Sequence, residues 1–166
     1  MYPVFAPMFE RGRYLRFLHP YRSGGTPDPD VFEALAVADE HAHSTATLTE
    51  DLCTLLSDRN WRPNLVGGVV LVRTRMSNAA ILEALWSAID RPSWVSPQLA
   101  VAASKIDPEF TAKAHTRIRA ASAKTANALA ALVDLDDRVP DVDDGAGIAL
   151  TWRAAMTQQY CDRRSR

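Results

Sequence analysis

His41 and His43 lie beside Asp39 and Glu40, the densest collection of metal-ligating residue types in the chain. Two ligands on one helix face need a spacing of three or four, because positions i and i+2 point about 200° apart. The segment reads as a helix end, where a protonated histidine is favoured by the dipole, so it predicts a capped terminus rather than a metal site. Asp134, Asp136, Asp137, Asp141, Asp143 and Asp144 crowd a short stretch relieved only by Arg138. A calcium loop of the EF-hand type needs oxygen ligands at its positions 1, 3, 5 and 12. Counted from Asp141, position 5 is Gly145 and position 12 is Trp152, so that motif fails. The stretch reads as an acidic loop able to mimic phosphate and dock a basic partner surface.

Nucleophile and cofactor signatures are missing. The chain holds no Gly-x-Ser-x-Gly elbow, Walker loop, dinucleotide fingerprint or His-Glu-x-x-His pair. Cys53, between Leu52 and Leu55 on an apolar stripe, reads as a buried, inert thiol. No catalytic residue, cofactor or resident metal is expected. A helical metal-dependent enzyme built on His41 and His43 stays as an alternative.

Two groups of cations offer a nucleic-acid reading. Arg11, Arg13, Arg16 and Arg22 interleave with Tyr14, Phe17 and Tyr21, a pattern in which rings stack on bases while guanidinium groups hold the backbone. The competing expectation is that these aromatics pack on the body of the protein. Lys113, Arg117, Arg119 and Lys124 form a stretch without acids that reads as a solvated helix face.

These residues must be positioned by helices. With 166 residues, 47% hydrophobic and 23% charged, and a net charge of −1, the chain fits one globular domain and supplies no overall field for nucleic acid or an anionic membrane. Its longest apolar run, Leu65 to Val72, is far short of the roughly 20 residues that span a bilayer. Cys53 and Cys161 match no metal spacing or disulfide framework, and Met1 to Glu10 has no basic region ahead of its apolar residues, so a cytoplasmic protein is expected. The organisation reads as an aromatic and basic segment over 1–27, a helical body over 28–133, an acidic loop over 134–145 and a terminal helix over 146–160.

Helical signals run along that body. Pro29 opens a helix with Val31, Phe32, Leu35, Ala36 and Ala38 as its stripe, and Thr47 or Thr49 caps a second carrying Leu48 to Leu56. A third spans Asn64 to about Arg75, although Leu65 to Val72 is β-branched, glycine-broken and strand-like by propensity. Ser77 caps a fourth with Ile81, Leu85, Trp86 and Ile89. Ser96-Pro97 begins a fifth that is apolar nearly all round and should be buried. Asp107-Pro108 begins a long sixth, and Gly145 precedes a seventh.

Pro63-Asn64-Leu65-Val66 stands 34 residues before Pro97-Gln98-Leu99-Ala100. Each is preceded by a Trp, Trp61 and Trp94, and by an Asp-Arg pair, Asp58-Arg59 and Asp90-Arg91, at the end of an apolar helix. Over residues 46–133 this pattern resembles HEAT-like helical repeats. The resemblance implies an all-α fold of about seven helices in a right-handed stack of hairpins, working as an interaction scaffold with no reaction attached. On that reading Trp61, Arg62 and Trp94 join Asp136, Asp137, Asp141, Asp143 and Asp144 as partner-binding residues. The expected partner is another protein, such as a basic-surfaced toxin or enzyme occluded by a small bacterial immunity or antitoxin-type protein. A nucleic-acid-binding regulator using Arg11, Arg13, Tyr14, Arg16, Tyr21 and Arg22 is the alternative.

Overall fold

The computed structural model describes residues 5–18, 29–133 and 144–162. Among the described residues all regular structure is helical. α1 (Ala6–Phe9) runs into a 3-10 segment, Glu10–Phe17, that kinks where Arg11 and Gly12 take positive φ. There follow α2 (Pro29–Ser44), α3 (Leu48–Ser57), α4 (Trp61–Thr74), α5 (Ala79–Asp90), α6 (Ser96–Ile106), α7 (Phe110–Ile118), α8 (Ala123–Leu132) and α9 (Gly145–Asp162). No helix among the described residues is long and apolar enough to cross a membrane.

The fold is all-α, with nine α-helices among the described residues rather than seven. The long sixth helix is in fact two, because Ser122 interrupts it as an N-cap: its Oγ accepts the Thr125 N–H at 3.4 Å. The cap expected at Ser77 falls to Asn78, whose Oδ1 accepts from Ile81 N at 3.0 Å. The third helix begins earlier than Asn64, at Trp61, capped by Asn60. On α2 the buried seam is Val31, Ala34, Leu35, Ala38 and Ala42, while Phe32 and Ala36 lie one step off it and face outward.

The strand-like stretch is helical for a packing reason. Every residue of α4 from Pro63 to Val72 is buried, so the helix needs no polar face. Its glycines admit neighbours on two sides. A Cβ at Gly67 would stand 3.2 Å from Leu56 Cδ2 of α3, and one at Gly68 would stand 3.1 Å from Leu99 Cδ2 of α6.

α6 is the centre of the molecule, as its all-round apolar surface predicts. It packs on α4, α5, α8 and α9, and its residues Ser96 to Ala103 are all buried. α3 packs on α4 and α5, α7 packs on α8, and α2 with the 3-10 segment closes over α4. The most extensive helix pairing among the described residues is α8 against α9. A Cβ at Gly145 would fall 1.7 Å from the Lys124 carbonyl oxygen. One continuous buried cluster reaches from Phe5 to Met156.

Buried polar groups stitch the connections. Asn64 Nδ2 donates to the carbonyls of Leu55, Leu56 and Asp58 at 2.8, 3.2 and 3.1 Å, satisfying the C-terminal end of α3. Arg91 adds a bond to Leu56 O. Gln98, 34 positions after Asn64, is equally buried, yet its Oε1 has no hydrogen-bond partner among the described residues. Arg73 Nε donates to Asp39 Oδ1 at 2.8 Å in a two-pronged ion pair that joins α4 to α2.

Candidate functional site

The described N-terminal aromatics, Phe5, Phe9, Tyr14 and Phe17, pack on the body. Phe5, Met8 and Phe17 are fully buried, and the Phe17 carbonyl accepts the Trp152 Nε1–H of α9 at 2.9 Å. Tyr14 OH accepts from Arg62 Nε at 2.9 Å, and its ring meets Trp61 edge-on at 5.8 Å. Arg13 donates to Pro7 O at 2.8 Å and pairs with Glu10, while Arg16 pairs with Asp30 at 2.9 Å. Arg11 sits exposed in the kink. The residues expected to stack on bases therefore serve packing; Tyr21 and Arg22 lie outside the described residues.

The two histidines have separate surroundings. The His41 ring lies 4.4 Å from the Phe5 ring, whereas His43 Nδ1 lies 2.6 Å from the Asp39 carbonyl oxygen at the exposed end of α2. No group of three or more metal-ligating side chains converges among the described residues. Cys53 is half-buried against the core, and burial pushes its thiol pKa up, away from the reactive thiolate.

Of the expected acidic surface, Asp134, Asp136, Asp137, Asp141 and Asp143 lie outside the described residues. Asp144 is the N-cap of α9: its Oδ1 accepts the Gly147 N–H at 2.8 Å. Its carboxylate is thus engaged within the fold.

The two tryptophans part company. Trp61 is half-buried in the first turn of α4, beneath the Arg62 guanidinium at 4.9 Å and against Tyr14. Trp94 is 79% exposed, the most exposed large apolar side chain among the described residues. One residue accounts for the difference. Two positions separate Trp61 from Pro63 but three separate Trp94 from Pro97, so the residue in the Trp61 register is Val95, which is fully buried. Trp94 occupies the register of Asn60, outside the helix, and is turned outward.

Trp94 forms one wall of an open groove of about 390 Å³ between the α5–α6 and α7–α8 connections. Pro92, Ser93, Ser122 and Lys124 complete the lining. Lys124 Nζ stands 5.8 Å from the centre of the Trp94 ring, within cation–π range. The hydroxyls here are used by the fold: Ser93 Oγ accepts from Val95 N at 3.4 Å, and Ser122 Oγ caps α8.

A second cluster went unread in the sequence. Asp107 is buried, its Oδ2 accepting from Trp86 Nε1 at 2.6 Å and Lys113 Nζ at 3.0 Å, and its Oδ1 from Glu109 N at 2.8 Å. Burial pushes the Asp107 pKa up, but the Trp86, Lys113 and Glu109 donors outweigh it and hold the carboxyl below its usual range. Phe110 stacks on Trp86 at 5.9 Å, and the Arg117 guanidinium covers the same indole at 4.5 Å while bonding Asp90 at 3.1 Å. With its carboxylate saturated and its ring covered on the protein side, this cluster fastens α5 to α7. The Asp-Pro pair marked a helix start; nothing in the sequence marked Trp86 as its partner. No protein-family model, curated protein or solved structure matches this chain, so its functional reading rests on its own residues.

Proposed function

We propose that this chain is a non-catalytic protein-binding scaffold, built as a short HEAT-like stack of helical hairpins that meets its partner at the connections. The stacking is supported by neighbour-to-neighbour packing: α3 lies on α5 and α4 on α6, as successive hairpins of a solenoid would. The observation that carries the binding role is Trp94. Burying a large aromatic ring stabilises a protein by about 2 to 3 kcal/mol, and tryptophan is enriched among residues that dominate binding energy. Here such a ring is left in solvent beside a groove, in a chain whose Trp86, Phe110 and Trp152 are buried. The finer form, an immunity or antitoxin-type protein occluding an enzyme, draws on Asp136, Asp137, Asp141 and Asp143, so the broader reading stands on Trp94.

The test is quantitative capture by the tagged full chain from lysate of the source organism, at low and moderate salt. One protein retained in equal amount at both salts, and lost with Trp94→Ala, is the expected result. Retention indifferent to Trp94→Ala, or nucleic acid that washes off at moderate salt, would overturn it.

A further inference from the structure

The geometry points to an acidic segment of the partner as the occupant of the Trp94 groove: an extended stretch laying an apolar side chain on the Trp94 ring and setting a carboxylate against Lys124 Nζ. This rests on the scaffold reading above and names the chemistry that its surface selects. The argument is one of charge and of satisfied groups. Lys124 is the single formal charge among the five lining residues, and it has no carboxylate partner among the described residues. The acid at the end of α5, Asp90, is held by Arg117. Arg119, in the connection that leads to Ser122, is exposed and adds to the same sign. The ring supplies an apolar floor and Pro92 an apolar rim, while the serine hydroxyls are already bonded within the fold.

A partner arriving here loses water from both the indole and an ammonium that has no carboxylate partner among the described residues. The ammonium is compensated only by an anion. A volume of about 390 Å³ suits a few side chains of an extended segment rather than a whole helix. Single-stranded nucleic acid also combines stacking with cation contacts, but it needs a run of cations along its backbone. The neighbouring Lys113 and Arg117 are engaged with Asp107, Glu109 and Asp90 and supply no such run.

The test selects short random peptides displayed on phage against the full chain, with Trp94→Ala, Lys124→Gln and Lys124→Glu as counterparts and a single-stranded oligonucleotide as competitor. Melting curves first establish that each variant folds as the parent does. The expected outcome is enrichment of Asp and Glu beside an aliphatic, aromatic or proline residue. Binding should vanish with Trp94→Ala, and should weaken roughly tenfold with Lys124→Gln and further with Lys124→Glu. Peptides that depend on Trp94 without acidic preference, or that ignore both lysine substitutions, would overturn this inference and leave the scaffold reading standing. No Trp94-dependent peptide, or displacement of the peptides by the oligonucleotide, would overturn both.

Discussion

At Asp107 a buried carboxylate is held by three donors from α5, α7 and its own helix start. Its ionised form is bound more tightly in the folded chain than in the unfolded one, since its pKa is lowered on folding. The sign follows directly. The stability it contributes is fully present above the unfolded carboxyl value of about 3.9 and is lost as pH falls through the folded value. Asp107→Asn keeps one acceptor oxygen, for either Trp86 or the Glu109 N–H, puts an NH2 donor against the other, and loses the charge facing Lys113. We expect the variant to be less stable than the parent at pH 7, with the gap closing as pH falls below about 4. Urea unfolding at stepped pH measures this, and a gap that is flat or that widens in acid would contradict the assignment. Trp94 gives the contrasting lesson at the same scale. Its exposure follows from one extra residue between Trp and Pro, a difference visible in the sequence: with Pro63 set against Pro97, the position of Trp61 falls on Val95, which is buried.

Helix pairing depends on where small residues let backbones approach. Gly145 at the start of α9 abuts the Lys124 backbone, whereas Gly68 in α4 abuts only the flexible end of Leu99. The two substitutions to alanine should therefore differ sharply. Gly145→Ala must push α9 away from α8 and is expected to cost about 3 kcal/mol. Gly68→Ala gains about 1 kcal/mol of helix propensity against a side-chain adjustment, so its stability should stay within about 1 kcal/mol of the parent. Thermal or urea denaturation of the pair decides the matter; equal losses would refute the close-approach account. At this scale the periodicity of apolar residues exposed most helices; α4, β-branched and buried all round from Pro63 to Val72, shows no such periodicity, and only the Trp-Pro pattern it shares with α6 marks it as a helix. Periodicity missed the break at Ser122, because Ala120, Ala121 and Ala123 carry no stop signal and the cap is a hydrogen bond to Thr125.

Across the whole molecule α9 meets the N-terminal 3-10 segment: the Trp152 indole donates to the Phe17 carbonyl, both side chains being buried. Trp152→Phe removes the donor and leaves that carbonyl unsatisfied, at a cost of about 1 to 3 kcal/mol. We expect one cooperative unfolding transition at lower temperature, with faster tryptic cleavage near Arg11; an unchanged melting temperature would show that α9 and the 3-10 segment are not coupled. The sequence by itself determined the helical class and the burial of α6, because each is a matter of local pattern and of apolar surface that must leave water; whether the N-terminal aromatics pack or stack on bases it left open. It did not determine that Trp86 bonds Asp107, or that Lys124 joins Trp94 in a groove. Those pairings bring together residues 21 and 30 positions apart, through the way α5, α6, α7 and α8 cross. No local rule sets such a crossing; it is fixed by how side-chain volumes fill the space around α6, and only the packed tertiary structure decides that.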